Sequence, residues 1–121
     1  MKLDGDKPIF IQLAEGLEDA ILSGAYQEET QIPSTTEISV GYKINPATAL
    51  KGINILVDDE IVYKKRGLGM FVTKGATQKI MEKRKETYYE NYVIPLIAEA
   101  GKIGLTKDDL IKMIERGVVH E

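Results

Sequence analysis

The segment from Ile44 to Val72, INPATALKGINILVDDEIVYKKRGLGMFV, constrains the fold more than any other part of this chain. Asn45 is a strong N-cap residue, and Pro46 follows at the first helical position, where its missing N–H removes nothing the helix needs. A helix is expected to open there. Ala49, Gly52, Ile53 and Leu56 recur at helical spacing and should pack inward, which leaves Thr48, Leu50, Lys51 and Asn54 largely outward. The helix should stop near Asp58-Asp59. Ile61 to Tyr63 and Met70 to Val72 then read as two short strands joined by Lys64-Lys65-Arg66-Gly67-Leu68-Gly69, a glycine-bearing turn with three adjacent cations. A bare hairpin would be the bland reading of these residues. Placed behind a helix, it reads as a wing.

Upstream, Pro8 opens a run in which Phe10, Leu13, Ala14, Leu17, Ala20 and Ile21 keep a helical apolar stripe, and Ser23-Gly24 ends it. Gln31-Ile32-Pro33-Ser34 is expected to form a short strand leading to an N-cap at Ser34. Glu37, three residues later, completes a capping-box pattern. A brief second helix should follow, to about Gly41-Tyr42. Helix, short strand, short helix, turn, helix and hairpin in this order is the layout of a winged helix-turn-helix. The fold class is α+β, mostly helical.

These same positions carry a family resemblance. Pro8-Ile9-Phe10-Ile11-Gln12-Leu13, Ile21-Leu22-Ser23-Gly24, Ile32-Pro33-Ser34, Asn45-Pro46-Ala47-Thr48 and Gly67-Leu68-Gly69-Met70-Phe71-Val72 occur in order and at the spacing of the GntR-type bacterial transcription regulators. The chain resembles in particular their short YtrA-like branch. The likeness covers about the first 75 residues and is specific as an ensemble rather than piece by piece. It implies a DNA-binding winged helix-turn-helix in a homodimeric repressor acting on an inverted-repeat operator, often that of a transporter operon. Carried over position by position, it implies that Ser34 and Thr36 meet the phosphate backbone. Asn45, Pro46, Ala47, Thr48, Leu50 and Lys51, with Lys43 just before them, would lie at or beside the major groove. Gly67, Leu68 and Gly69 would form the wing tip near the minor groove. Thr36, Pro46, Leu50 and Leu68 stand where the wider family often has a basic residue, so operator sequence does not transfer from that wider family.

Overall charge at first argues against nucleic acid: 16 Lys and Arg against 19 Asp and Glu give a formal net charge of −3. Its distribution argues the other way. Residues 1–39 hold two cations (Lys2, Lys7) against eight anions (Asp4, Asp6, Glu15, Glu18, Asp19, Glu28, Glu29, Glu37). Residues 40–75 hold six cations (Lys43, Lys51, Lys64, Lys65, Arg66, Lys74) against three anions (Asp58, Asp59, Glu60). The positive end therefore falls on the second half of the motif, where phosphate neutralisation and counterion release are needed. Lys64, Lys65 and Arg66 would contact phosphates there. With so few cations per protomer, one module should bind weakly, and two on one duplex better.

At 121 residues and 43% hydrophobic content the chain can bury one modest core. It has no cysteine, which suits a reducing compartment, no apolar run near the ~20 residues of a membrane span, and no signal-peptide pattern. A cytoplasmic protein without cofactor is expected. Lys74-Gly75-Ala76 reads as the joint between a winged part, 1–75, and a helical part, 76–121.

That second part is expected to hold two helices. Met81, Tyr88, Tyr89, Tyr92, Val93, Leu96, Ile97 and Ala100 form a broad apolar stripe, interrupted by Pro95, which should kink the helix. Gly101 reads as its C-cap. Thr106 then N-caps a last helix with Asp108 and Asp109 in its first turn and Leu110, Ile111 and Ile114 on one face. Two such helices cannot bury their own stripes. They must fold back on the winged part or pair with a second chain, and exposed apolar stripes commonly mark interfaces, so a dimerisation segment is the favoured reading. It is too short to be a large effector-binding domain.

Catalytic chemistry finds little support. His120 is the only histidine and lies beside the last residue. Asp58-Asp59-Glu60 reads as a solvated turn rather than a metal cluster, because adjacent side chains diverge and no histidine or cysteine joins them. Tyr88, Tyr89 and Tyr92 could stack on a flat ligand, but at helical spacing they read as packing or dimer contacts. Two functions stay open on these grounds: a DNA-binding repressor, and a winged-helix protein-interaction module, since fold alone does not fix function.

Overall fold

The structure, a computed structural model, describes residues 5–118. His120 lies outside the described residues. Packing divides the chain into two compact units, Met1–Glu82 and Lys83–Glu121.

In the first unit, α1 (Ile9–Leu22) buries Leu13, Ala14, Leu17, Glu18 and Ile21, the three- and four-residue spacing of one helix face. Two short helices follow, α2 (Thr35–Tyr42) and α3 (Pro46–Asp58). Each start is fixed by its own side chains. Ser34 Oγ accepts from the Glu37 N–H at 3.0 Å, while the Ser34 N–H donates to Glu37 Oε1 at 3.0 Å, so the capping box closes in both directions. Asn45 Oδ1 accepts from the Ala47 N–H at 2.7 Å with Pro46 at the first position. The turn between α2 and α3 is locked from inside. Buried Ser39 donates its hydroxyl to the Ile44 carbonyl at 2.7 Å and accepts the Ile44 N–H on its own carbonyl, and Lys43 takes a left-handed conformation with φ 56°.

Helix α3 buries Ala49, Gly52, Ile53 and Leu56 against α1. Their crossing is close: a Cβ at Gly52 would lie 2.8 Å from the Phe10 carbonyl oxygen and 3.0 Å from Leu13 Cδ2. The hairpin consists of β1 (Val62–Lys65) and β2 (Gly69–Val72), antiparallel, with Val62 opposite Val72 and Lys65 opposite Gly69. The strands thus include Lys64, Lys65 and Gly69, which the residue pattern places in the turn. Main-chain pairing is indifferent to charge, so exposed lysines on a two-stranded ribbon continue the ladder.

Gln31 to Ser34 does not form a strand; Gln31 makes an isolated bridge to Phe71, and the Ile32 N–H reaches the Met70 carbonyl at 2.9 Å. Pro33 has no N–H with which to extend the pairing. Helix α4 (Ala76–Tyr88) begins within this unit, and Ala76 and Ile80 join its core with no exposure.

In the second unit, the stripe does not continue as an unbroken α-helix. One π turn (Tyr89–Val93) separates α4 from α5 (Ile94–Lys102), and the Ile94 N–H bonds to the Tyr89 carbonyl. Pro95 cannot donate to the carbonyl four residues back, and its ring crowds that carbonyl; widening the preceding turn relieves both. Helix α5 also runs through Gly101 to Lys102, contrary to the expected C-cap. Gly104, at φ 78°, takes the left-handed position instead, and the Leu105 N–H returns to the Ala100 carbonyl at 2.9 Å. This six-to-one closure ends the helix at a left-handed glycine, with Leu105 half-buried just after it. Helix α6 (Lys107–Gly117) starts in a second capping box, between Thr106 and Asp109.

Candidate nucleic-acid interface

The first unit presents the N-terminal end of α3 to solvent. Asn45, Pro46, Ala47, Leu50 and Lys51 are exposed and Thr48 is half-buried, while the opposite face of the helix is sealed. Asn45 spends its side-chain oxygen on the cap, and its amide group remains on an exposed residue. On α2, Thr36 is exposed in the first turn; Ser34 is half-buried and engaged with Glu37. Lys43 is exposed and occupies the tight turn between the helices.

Lys51 is not a free-swinging cation. Its Nζ lies 4.1 Å from the centre of the Phe10 ring on α1.

The wing is braced in two ways that local sequence does not announce. Gln31 Nε2 donates to the Leu68 carbonyl at 2.7 Å, and a Cβ at Gly69 would come within 2.6 Å of that nitrogen. With Gly67 at φ 78° and Gly69 at φ 115°, only glycine fits the tip without strain. Leu68 is left 64% exposed at its end, a large apolar side chain with no cover. Tyr63 and Phe71 stand opposite each other with ring centres 6.1 Å apart, and Lys65 Nζ lies 4.3 Å from the Phe71 ring centre. Alternation along the strand then sends Lys64 to the other face of the ribbon, so the two lysines are chemically distinct. Arg66, at the turn, is exposed.

Glu28 is a further residue, one that no local motif singles out. Its carboxylate accepts the Gly75 N–H at 2.7 Å and the Thr77 N–H at 3.2 Å, capping α4 from the loop after α1. Those backbone donors, Gly75 first and then Thr77, hold its pKa below the ordinary carboxylate range. The Ser34 N–H does the same for Glu37, and the Thr106 N–H for Asp109. Asp58, Asp59 and Glu60 are exposed, and Lys79 donates to the Glu60 carbonyl at 3.2 Å.

In the second unit, Tyr88, Tyr89, Tyr92, Leu96, Ile97 and Ile114 are each 46–60% exposed, Ile111 is exposed, and Val93 and Leu110 are half-buried. The rings of Tyr88 and Tyr92 lie 5.0 Å apart. Met81, at the end of the first unit, is also exposed. No helix among the described residues is long and apolar enough to cross a membrane.

Helix-turn-helix, braced basic wing and exposed helix start together define a winged-helix DNA-binding transcriptional regulator. Comparison with known proteins agrees. A solved GntR-family transcriptional regulator from Bacteroides thetaiotaomicron is 33% identical, with a TM-score of 0.73 over 90% of this chain and 95% of that one. The HTH-type transcriptional repressor YtrA of Bacillus subtilis is 25% identical over 108 residues, 89% of this chain and 82% of its own length. The HTH-type transcriptional regulator YhcF of the same organism is 23% identical over 114 residues, 94% of this chain and 93% of its own length. No protein-family model matches the chain. The chain belongs to the GntR family and is YtrA-like.

Proposed function

We propose that this regulator is a homodimeric repressor in which each winged unit reads one half-site of an inverted repeat. The observation that carries the reading is the coexistence, in one packed unit, of an exposed α3 start and a hairpin whose Lys64, Lys65 and Arg66 all face solvent. Asn45, Ala47, Thr48, Leu50 and Lys51 then lie where base edges are read, with Pro46 and Lys43 beside them. Ser34, Thr36 and the wing cations meet phosphates, and Gly67, Leu68 and Gly69 approach the minor groove.

The exposed apolar side chains of Tyr88, Tyr89, Tyr92, Leu96, Ile97, Ile111 and Ile114 support the dimer, with Met81, Val93 and Leu110 completing its surface. Pairing also compensates for the small number of cations, because the second module binds at high effective concentration. The domain roles follow: DNA binding in 1–75, whose core the buried first turns of α4 complete, and dimerisation through the exposed residues of 76–121.

Footprinting on the DNA upstream of its own gene, together with sedimentation of the full chain, tests both halves. A two-fold protected region and a dimer at micromolar concentration are expected. A monomer at that concentration, or tight saturable binding to one isolated half-site, overturns the proposal.

A further inference from the structure

Helices α1 and α3 approach so closely at Gly52 that a side chain there would strike the Phe10 carbonyl, and the neighbouring residue on α3 is Lys51. The approach sets the half-buried Phe10 ring beneath the Lys51 ammonium, 4.1 Å from the ring centre. A ring face attracts a cation through its quadrupole, and it does so without supplying a counter-charge. The ring therefore adds no counter-charge to Lys51 while its long, otherwise mobile stem is held to one region of space. A carboxylate in the ring's place would cancel the charge that a DNA contact needs.

From this arrangement we infer that Phe10 is a positioning residue for DNA recognition: its ring presents Lys51 to the duplex, and Gly52 is what allows the ring to be there. The inference rests on the proposed placement of α3 against DNA. It assigns a recognition role to a residue of α1 that need not touch DNA itself.

The test uses the full chain and a duplex selected from a random pool by the unaltered protein. Phe10→Leu and Phe10→Met keep an apolar side chain but remove the quadrupole; either serves if the other folds poorly. Each should weaken binding to the selected duplex about three- to tenfold. Phe10→Tyr, which keeps the ring, should bind as the unaltered protein does. In a Lys51→Met background, Phe10→Leu should have no further effect, because there is no cation left to position. In the free protein, the Lys51 side-chain methylene protons should show an upfield ring-current shift that Phe10→Leu abolishes and Phe10→Tyr retains.

Effects of Phe10→Leu and Lys51→Met that simply multiply would overturn the inference, as would a weakened Lys51→Met beside an unaffected Phe10→Leu. If Lys51→Met itself binds normally, the placement of Lys51 against DNA fails, and the inference fails with it. The ring-current shift separates that outcome from a missing contact between the two side chains.

Discussion

Gly52→Ala separates intrinsic helix preference from packing, because the two act in opposite directions at this residue. In an open helix interior, replacing glycine by alanine stabilises by about 1 kcal/mol. Here the new Cβ would sit 2.8 Å from the Phe10 carbonyl oxygen, whereas ordinary contact begins at 3.4 Å, so α1 must move by 0.6 Å at the crossing. The obstacle is main chain and cannot rotate away, and Leu13 Cδ2, at 3.0 Å, crowds the same spot. Overpacking of this kind costs about 1–3 kcal/mol, so the net change is a destabilisation of about 0–2 kcal/mol. A loss of 1 kcal/mol lowers Tm by about 4–8 °C in a domain of this size. Gly41→Ala provides the control: Gly41 lies in α2, its φ is not positive, and its Cβ would meet nothing within 4 Å. It should stabilise by up to about 1 kcal/mol. Thermal unfolding of both variants at one fixed protein concentration makes the comparison, since any self-association shifts Tm with concentration. A Gly52→Ala protein that is more stable than the unaltered chain would refute the close-crossing account.

Asn45→Asp preserves the cap but places an anion at the helix start proposed to meet DNA, so Tm should hold within a few degrees while binding to a selected duplex is lost; unchanged affinity would move Asn45 away from DNA. Replacing Lys64 and Arg66 by alanine should weaken binding to all duplexes alike and flatten the plot of log affinity against log salt by about one unit for each phosphate no longer neutralised, measured by titration at several salt concentrations. Replacing Lys65, which rests on Phe71, should in addition loosen the hairpin, visible as faster amide exchange in β1 and β2. Glu28 has a lowered pKa in the folded protein, so its cap stabilises fully above the ordinary glutamate pKa and is lost as pH falls through the lower folded value. Glu28→Gln should therefore reduce stability at neutral pH and make acid unfolding less steep; identical acid-unfolding curves would assign the cap no role.

The elements legible in the sequence are those whose causes are local. Ser34 with Glu37, Thr106 with Asp109, and Asn45 with Pro46 each settle a helix start within four residues, and the structure closes every one of these caps. The inward faces of α1 and α3 follow from spacing alone. What the sequence does not reveal depends on partners far along the chain. Gln31 meets Leu68 and Glu28 meets Gly75, 37 and 47 residues away, and a lone Gln or Glu in a loop carries no local sign of such a partner. The stack of Lys51 on Phe10 depends on the α1–α3 crossing, which Gly52 permits but does not advertise. Lys64 and Lys65 resemble a turn because they are charged, yet the ladder reads only main chain. Gly101 and Gly104 are equally plausible helix ends by residue type, and only the Leu105 N–H returning to the Ala100 carbonyl distinguishes them.

The buried start of α4 bears on how such a regulator can be cut and rejoined. Ala76 and Ile80 have no exposure and belong to the same cluster as Ile61 and Val72, and Glu28 closes the helix start beneath them. A chain shortened to Lys74 would open that cluster and leave the Glu28 carboxylate without its two donors. A shortened chain that keeps this core must therefore retain residues through Ile80, and with them the first turns of α4.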